Sequence, residues 1–435
     1  MSFEYFIANK ILKSKEKGIK VSRPILRISL ISVALTIIVN LITLAVVHGF
    51  QSEIRNKIVG FNAPIFLMKA GNESIYEADL LKEQQSIIKD IQKIKGVKNT
   101  APVLYKPALL RSDKFENKVE FNGQTETLLK QEVNGVVLKG INETYPIDFL
   151  KSILVEGTVP SFGSNKNEVL ISKKICEQLH FKVEDEIAVF FVKNRSLMQR
   201  FKIKGIFETG IEKLDQQIVF SPLKKVQELG DFADLNKGET NFVSGFEIQI
   251  TDWNSLEEID AKLKDLVELE PQNDGTLLQT KSILDSENDI FSWLGFLDTN
   301  VLIIITLMIL IGIVNIGSVL LVMIVVRSNF IGVMKALGAS NWSIRKIFLM
   351  QTAFLILKAM VIGNIIGLGL CFLQYHFQWL QLDSNIYYLS SVPIKLTLLH
   401  IVFINAITFI TCVLSLLIPS YVISRISPAK SIKFN

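Results

Sequence analysis

Cysteine is scarce, with three residues among 435. Cys176 stands alone in a long polar stretch, while Cys371 and Cys412 lie in apolar runs. A lone cysteine cannot close an internal disulfide, so the polar stretch must be held by its own core. Histidine is nearly as scarce: His48, His180, His376 and His400 are scattered with no metal-ligand spacing. The sequence contains no H-E-x-x-H, no Cys-x-x-Cys, no G-x-S-x-G and no G-x-x-x-x-G-K-[ST]. It therefore offers no ground for a metal site, a hydrolase centre or a P-loop for ATP, and a chain that is not an enzyme is expected. Acidic residues are missing from 327–346 and from 425–435. The net charge of +5 is modest, and the basic residues sit beside apolar runs rather than on one soluble face, so nucleic acid is not an expected partner.

What is present is a set of long apolar runs. Ile28–Val47, Val301–Val326 and Leu396–Ser424 carry no charge, and Ile347–Tyr375 is broken only by Lys358. Each exceeds or matches the roughly 20 residues that a helix needs to cross a bilayer. Lys10, Lys13, Lys15, Lys17, Lys20, Arg23 and Arg27 precede the first run, and Arg327, Lys335, Arg345 and Lys346 follow the second. The positive-inside rule places both termini and the loop after the second run in the cytoplasm, and the polar insert outside, because long domains cross regardless of charge. The expected fold is a membrane α-helical protein of four transmembrane helices, with a large α+β domain of two lobes inserted between helices 1 and 2. Its parts are a cytoplasmic amphipathic segment at 1–24, membrane helices at 25–48, 298–327, 347–376 and 396–425, and an exported domain at 49–297. A cytoplasmic loop at 328–346, an outer loop at 377–395 and a cytoplasmic tail at 426–435 complete it. The first run is too long, and too far into the chain, to read as a cleaved signal peptide.

Phe3, Phe6, Ile7 and Ile11 share one helical face beside Lys10 and Lys13, the pattern of a helix lying on the inner surface of a membrane. Within the insert, patterning predicts strands near 65–68, 97–111, 118–121, 133–140 and 246–250, and helices at 78–94, 173–179 and 256–267. Residues 186–192 and 199–207 predict a hairpin joined through Lys193–Leu197.

Few intramembrane residues can carry chemistry. Lys358 is either functional or snorkels to the headgroups. Asn40, Asn315, Asn364 and Asn405 can bond between helices, and Gly363 and Gly367 have the spacing that lets helices approach closely. In the second cytoplasmic loop, Ile331, Met334, Lys335 and Leu337 make a short amphipathic turn ended by Gly338, with Ser340 or Asn341 capping the next helix. Such a turn fits either a pocket on another protein or the lipid surface.

This loop, NFIGVMKALGASNWSIRKIF, resembles the coupling-helix segment of the FtsX-like permeases of ABC transporters, with departures at Asn329 and Phe330 where an acidic residue is common. Four further stretches resemble the lipoprotein-releasing LolC/LolE type. They are the first run through GFQSEIRNKIVGFNAPI, then FKIKGIFETGIEKLDQQIVF, DSNIYYLSSVPIKL and IPSYVISRISPAKSIKF. The resemblance implies a MacB-like periplasmic domain, an inner-membrane location and no cofactor in this chain, with ATP and Mg bound by a separate ABC ATPase present in two copies. It implies a second permease subunit, as homo- or heterodimer, and mechanotransmission in place of a pore. The implied cargo is a mature lipoprotein taken from the membrane lipid and handed to a periplasmic carrier. Ile331, Gly332, Met334, Lys335, Leu337 and Gly338 are the implied ATPase-coupling residues, and Leu44, Val47, Leu302 and Ile305 the implied lipoprotein cavity. The link Lys193–Leu197 is short and lacks the proline-containing hook of LolC-type subunits. The alternative within the same resemblance is a membrane scaffold that regulates a periplasmic cell-wall hydrolase.

Overall fold

The computed structural model describes residues 22–83, 86–112, 114–121, 124–163, 166–192, 196–228, 241–268, 271, 275–383, 387, 389 and 391–425. The amphipathic face at 3–11, the hairpin link at 193–195 and the tail at 426–435 lie outside them. The main helices, in chain order, are α1 (Ser22–Phe61), α2 (Lys173–Leu179), α3 (Leu256–Val267), α4 (Asn288–Val326), α5 (Ser328–Ala336), α6 (Asn341–Phe377) and α7 (Leu398–Ser415). The strands are β1 (Ile65–Lys69), β2 (Leu81–Lys82), β3 (Val97–Arg111), β4 (Phe115–Phe121), β5 (Gln124–Lys130), β6 (Val133–Ile141) and β7 (Leu154–Gly157). They continue as β8 (Glu168–Ser172), β9 (Glu186–Val192), β10 (Ser196–Phe207), β11 (Ile218–Pro222), β12 (Phe242–Val243), β13 (Gly245–Ile250) and β14 (Leu278–Ser282). Two compact units result: Met1–Glu53 with Trp293–Gln381 and Ser391–Asn435, and Ile54–Ser292 with Leu382–Ser390.

The first unit holds four helices long and apolar enough to cross a membrane. Helix α1 is a single rod of 40 residues and α4 one of 39, each about 60 Å at 1.5 Å per residue. That is about twice the thickness of a hydrocarbon core. The expected domain boundaries at 48/49 and 297/298 therefore fall inside continuous helices. The core of this unit is built from Val33, Ala34, Ile37 and Leu41 of α1, Ile316, Val319 and Leu320 of α4, and Ile344, Phe348, Ile356 and Ala359 of α6. Gly363 and Gly367 let α6 lie against α1: a Cβ on Gly363 would meet Ala34 O at 2.8 Å and Ile37 Cβ at 2.9 Å. Helix α7 stops at Ser415, the residue whose carbonyl would need an N–H from Pro419, and short turns continue to Arg425.

In the second unit the main sheet runs β14-β1-β13-β3-β6-β11-β8-β10-β7. β9 pairs with both β10 and β3, so β3, β6, β11, β8, β10 and β9 close on themselves. β3 is shared: Val97–Val103 pair with β13, and Leu104–Arg111 with β6. One strand thus serves both the β13 side and the β6 side of the sheet. Helices α2 and α3 and strand β9 stand where patterning placed them, whereas β10 begins at Ser196, inside the link expected at Lys193–Leu197. Helix α3 buries Leu256, Ile259, Leu263 and Val267, an amphipathic stripe. Helix α2 is capped by Ser172, whose Oγ accepts from Ile175 N–H at 3.1 Å, and buries Cys176. Burial pushes the Cys176 thiol pKa up to about 12, so it stays protonated and unreactive.

The helix expected at 78–94 is a correction. Leu81 belongs to β2, paired with β12, and among the described residues of this stretch only Ile87–Ile91 is α-helical. Leu81 is buried by pairing with Val243, so a long-range strand contact overrides the helical spacing of the isoleucines. Strands β8 and β11 escape patterning because they are buried almost throughout and show no alternation.

Candidate functional site

Helix α5 is the short helix expected to meet a partner, and its chemistry divides by face. It ends on a Schellman turn, with Gly338 at φ +88°, Ala339 N–H donating to Met334 O at 2.9 Å and Gly338 N–H to Lys335 O at 3.0 Å. Ser340 caps α6 through Ser343 N–H at 3.1 Å. Ile331 and Gly332 are buried, and Ile331 belongs to the membrane core, with Met334 packed against it. Lys335 Nζ donates to the carbonyl of Ile423 at 2.8 Å, which ties α5 to the end of the last span. Ile331 and Met334 therefore hold α5 on its own chain and are not offered outward. The outward apolar surface is Val333 and Leu337, one turn apart, with Trp342 at the start of α6; Leu337 is 78% exposed and Trp342 61%. Val333 and Trp342 were not singled out from sequence. The i, i+4 spacing of Val333 and Leu337 signals this face, but Ile331 and Met334 signal the opposite one equally well.

The residues expected to line a lipid cavity also divide. Leu44 forms a small cluster with Val301 and Ile404, and Val47 and Ile305 pack against it. These three are engaged in helix contacts of the chain itself. Leu302 is 66% exposed and faces away from that cluster. Lipid-facing and helix-facing positions are equally apolar, so position along a span does not tell them apart.

Amides join the spans at two places. Asn364 and Asn405 bond reciprocally at 2.7 and 2.9 Å, and Asn315 donates to Ser32 Oγ. Asn40 departs from the expectation: both polar atoms of its side chain are buried without a hydrogen-bond partner among the described residues. Lys358 lies exposed on the surface of α6. The histidines are not all scattered, because the rings of His48 and His400 meet edge-on at 4.2 Å. Among the described residues no three His, Cys, Asp or Glu side chains group as a metal site.

In the second unit the end of α1 is gripped. Ile54, Ile58 and Phe61 are fully buried, and the Phe61 ring packs on Phe207 and Phe220 at 6.1 and 5.1 Å. Buried Lys139 of β6 donates to the Phe61 carbonyl at 2.6 Å and pairs with Glu247 of β13 at 2.6 Å. Tyr145 OH reaches the same carbonyl at 3.3 Å, and Tyr105 OH donates to Glu247 Oε1 at 2.8 Å. Burial pushes the Lys139 pKa down while Glu247 pulls it back up, and burial drives the Tyr105 and Tyr145 hydroxyls well above the usual tyrosine range. A cation beneath a helix C-terminus also suits the helix dipole.

Residues 302–428 match the family described as FtsX-like permease C-terminal, and 28–266 match the MacB-like periplasmic core domain. The lipoprotein-releasing system transmembrane protein LolC of Buchnera aphidicola is 23% identical over 93% of this chain and 92% of its own length. LolC of Neisseria meningitidis is 22% identical over 100% and 99%, and LolE of Haemophilus influenzae 22% identical over 99% and 99%. Four membrane-length helices, a sheet-rich domain between the first two and these matches together identify the chain as a multi-pass membrane protein that belongs to the FtsX-like ABC transporter permeases with a MacB-like periplasmic core domain, of the LolC/LolE type.

Proposed function

We propose that this chain is the permease subunit of an ATP-driven complex that extracts mature lipoproteins from the outer leaflet of the inner membrane and passes them to a periplasmic carrier. The similarity to LolC and LolE along nearly the whole chain carries this reading. Two copies of a separate ATPase bind ATP and Mg at the cytoplasmic face, against Val333, Leu337 and Trp342, and a second permease subunit completes the pair. Both termini lie in the cytoplasm and residues 54–292 in the periplasm. Removing acyl chains from a bilayer costs about 0.8 kcal/mol per CH₂, so release needs work. Helices α1 and α4 supply a path for that work, because each runs unbroken from its apolar stretch into the helix end held by the soluble domain.

The test is photocrosslinking in the membrane. A photoreactive residue at Leu302 is expected to capture mature lipoprotein, and the adduct to vanish when the acylated cysteine of the lipoprotein is replaced. A residue at Ile410, on α7, is expected to capture far less. Adducts that ignore acylation, together with a cell-wall hydrolase phenotype, would replace this reading with the hydrolase-regulating scaffold.

A further inference from the structure

The stretch Phe201–Phe220 carries part of the family resemblance, and its geometry gives it a task. After β10 the chain turns at Thr209 and Gly210, with Gly210 at φ +75°, where a Cβ is disfavoured. The carboxylate of Asp215 closes the turn. Its Oδ1 accepts from Thr209 Oγ1 at 2.7 Å and from Thr209 N–H at 3.0 Å, and its Oδ2 accepts from Gly210 N–H at 2.9 Å. Ile211 and Leu214 are buried beneath it. Two contacts leave this turn. The Thr209 carbonyl accepts from Lys57 Nζ, in the last turns of α1. Lys213 Nζ pairs with Glu287 Oε2 at 3.0 Å. Glu287 has a side chain only 5% exposed, and its carbonyl accepts from Ile290 N–H at 3.1 Å and Phe291 N–H at 3.2 Å as α4 begins.

One turn therefore holds both the end of the helix that enters the domain and the start of the helix that leaves it. We propose that the Thr209–Asp215 turn is a yoke: it makes α1 and α4 act on the sheet together, with Asp215 fixing its shape and Lys213 linking it to α4. Without the Lys213–Glu287 link, α4 can shift while α1 and the sheet stay behind. This rests on the reading of the chain as an ATP-driven permease.

The test uses the full complex in proteoliposomes with lipoprotein and carrier. Lys213 is half-exposed, so Lys213→Met is expected to fold and to hydrolyse ATP at the normal rate, while lipoprotein released per ATP falls about tenfold. Lys213→Arg keeps the pair and is expected to restore the ratio, which a merely structural defect would not do. A second readout needs no cargo: hydrogen exchange at β11 and α2 is expected to respond to ATP in the wild type and in Lys213→Arg, and not in Lys213→Met. A wild-type ratio in Lys213→Met, or exchange that ignores ATP in the wild type, overturns the yoke. A wild type that releases no lipoprotein but shows an exchange response abolished in Lys213→Met overturns the cargo reading and keeps the yoke.

Discussion

Helix α1 is one helix in two environments, and its two halves are held by different physics. Between Val33 and Leu41 it packs by shape: Gly363 and Gly367 bring α6 close, and amides such as Asn315 bond across to α1. Lipid competes on equal terms for apolar contact there, so close approach and hydrogen bonds decide the packing. Between Ile54 and Phe61 the same helix is held by buried rings and by charge, with Lys139 and Glu247 sealed beneath its last carbonyl. Water drives that burial, and the buried cation is tolerated because Lys139 Nζ meets the Phe61 carbonyl, Tyr145 OH and Glu247 Oε1 at once.

The contrast can be broken from either side, and the buried cysteines report each half: Cys176 in the soluble unit, Cys371 and Cys412 in the membrane unit. Thermal exposure of these thiols to a reactive dye, in single-cysteine versions, is the measurement. Lys139→Met strips the cap from Phe61 and leaves Glu247 buried and unpaired, at an expected cost of about 3–5 kcal/mol. Cys176 should then become reactive at a markedly lower temperature. An unchanged Cys176 transition would show that the pair does not hold the domain. Gly363→Val forces α6 from α1 and should cost about 1–3 kcal/mol, read at Cys371 and not at Cys176. A shift at Cys176 alone would contradict the packing described. Asn364→Leu removes the reciprocal amide pair and should cost about 1 kcal/mol, again only in the membrane unit. A stabilised variant would mean that the pair serves something other than packing.

The smallest effect on stability is expected at the outward face of α5. Leu337→Asp should change thermal stability by less than about 0.5 kcal/mol, as exposed sites do. It should nevertheless abolish co-purification of the ATPase. Ile331→Asp buries a carboxylate in the membrane core and should fail to accumulate at all. Equal ATPase binding by Leu337→Asp and wild type would move the docking surface elsewhere.

These faces show how far the sequence is legible. β3, α2 and α3 could be read to within a residue, because capping by Ser172, the long β-rich run of β3 and the apolar stripe of α3 are local signals. The short helix of the second loop stands where its spacing placed it, but which of its apolar residues turn inward was not legible, because Ile331 and Leu337 differ only in what lies opposite them. The lipid-cavity residues met the same ambiguity, and three of the four turned inward.

The sequence by itself determined the count of spans, the large polar insert, the stop at Gly338 and a cap at Ser340 or Asn341. Hydropathy, backbone sterics and short-range hydrogen bonds need no partner far along the chain. Only the tertiary structure decided how far α1 and α4 run, to Phe61 and from Asn288, that β9 returns to β3 to close the strands, and that Lys139 meets Phe61 and Glu247. The same holds for the single turn at Thr209–Asp215 that reaches both helix ends. Each depends on residues tens to hundreds of positions apart, and what pairs them is the lowest free energy of the whole packed chain, which no local pattern encodes.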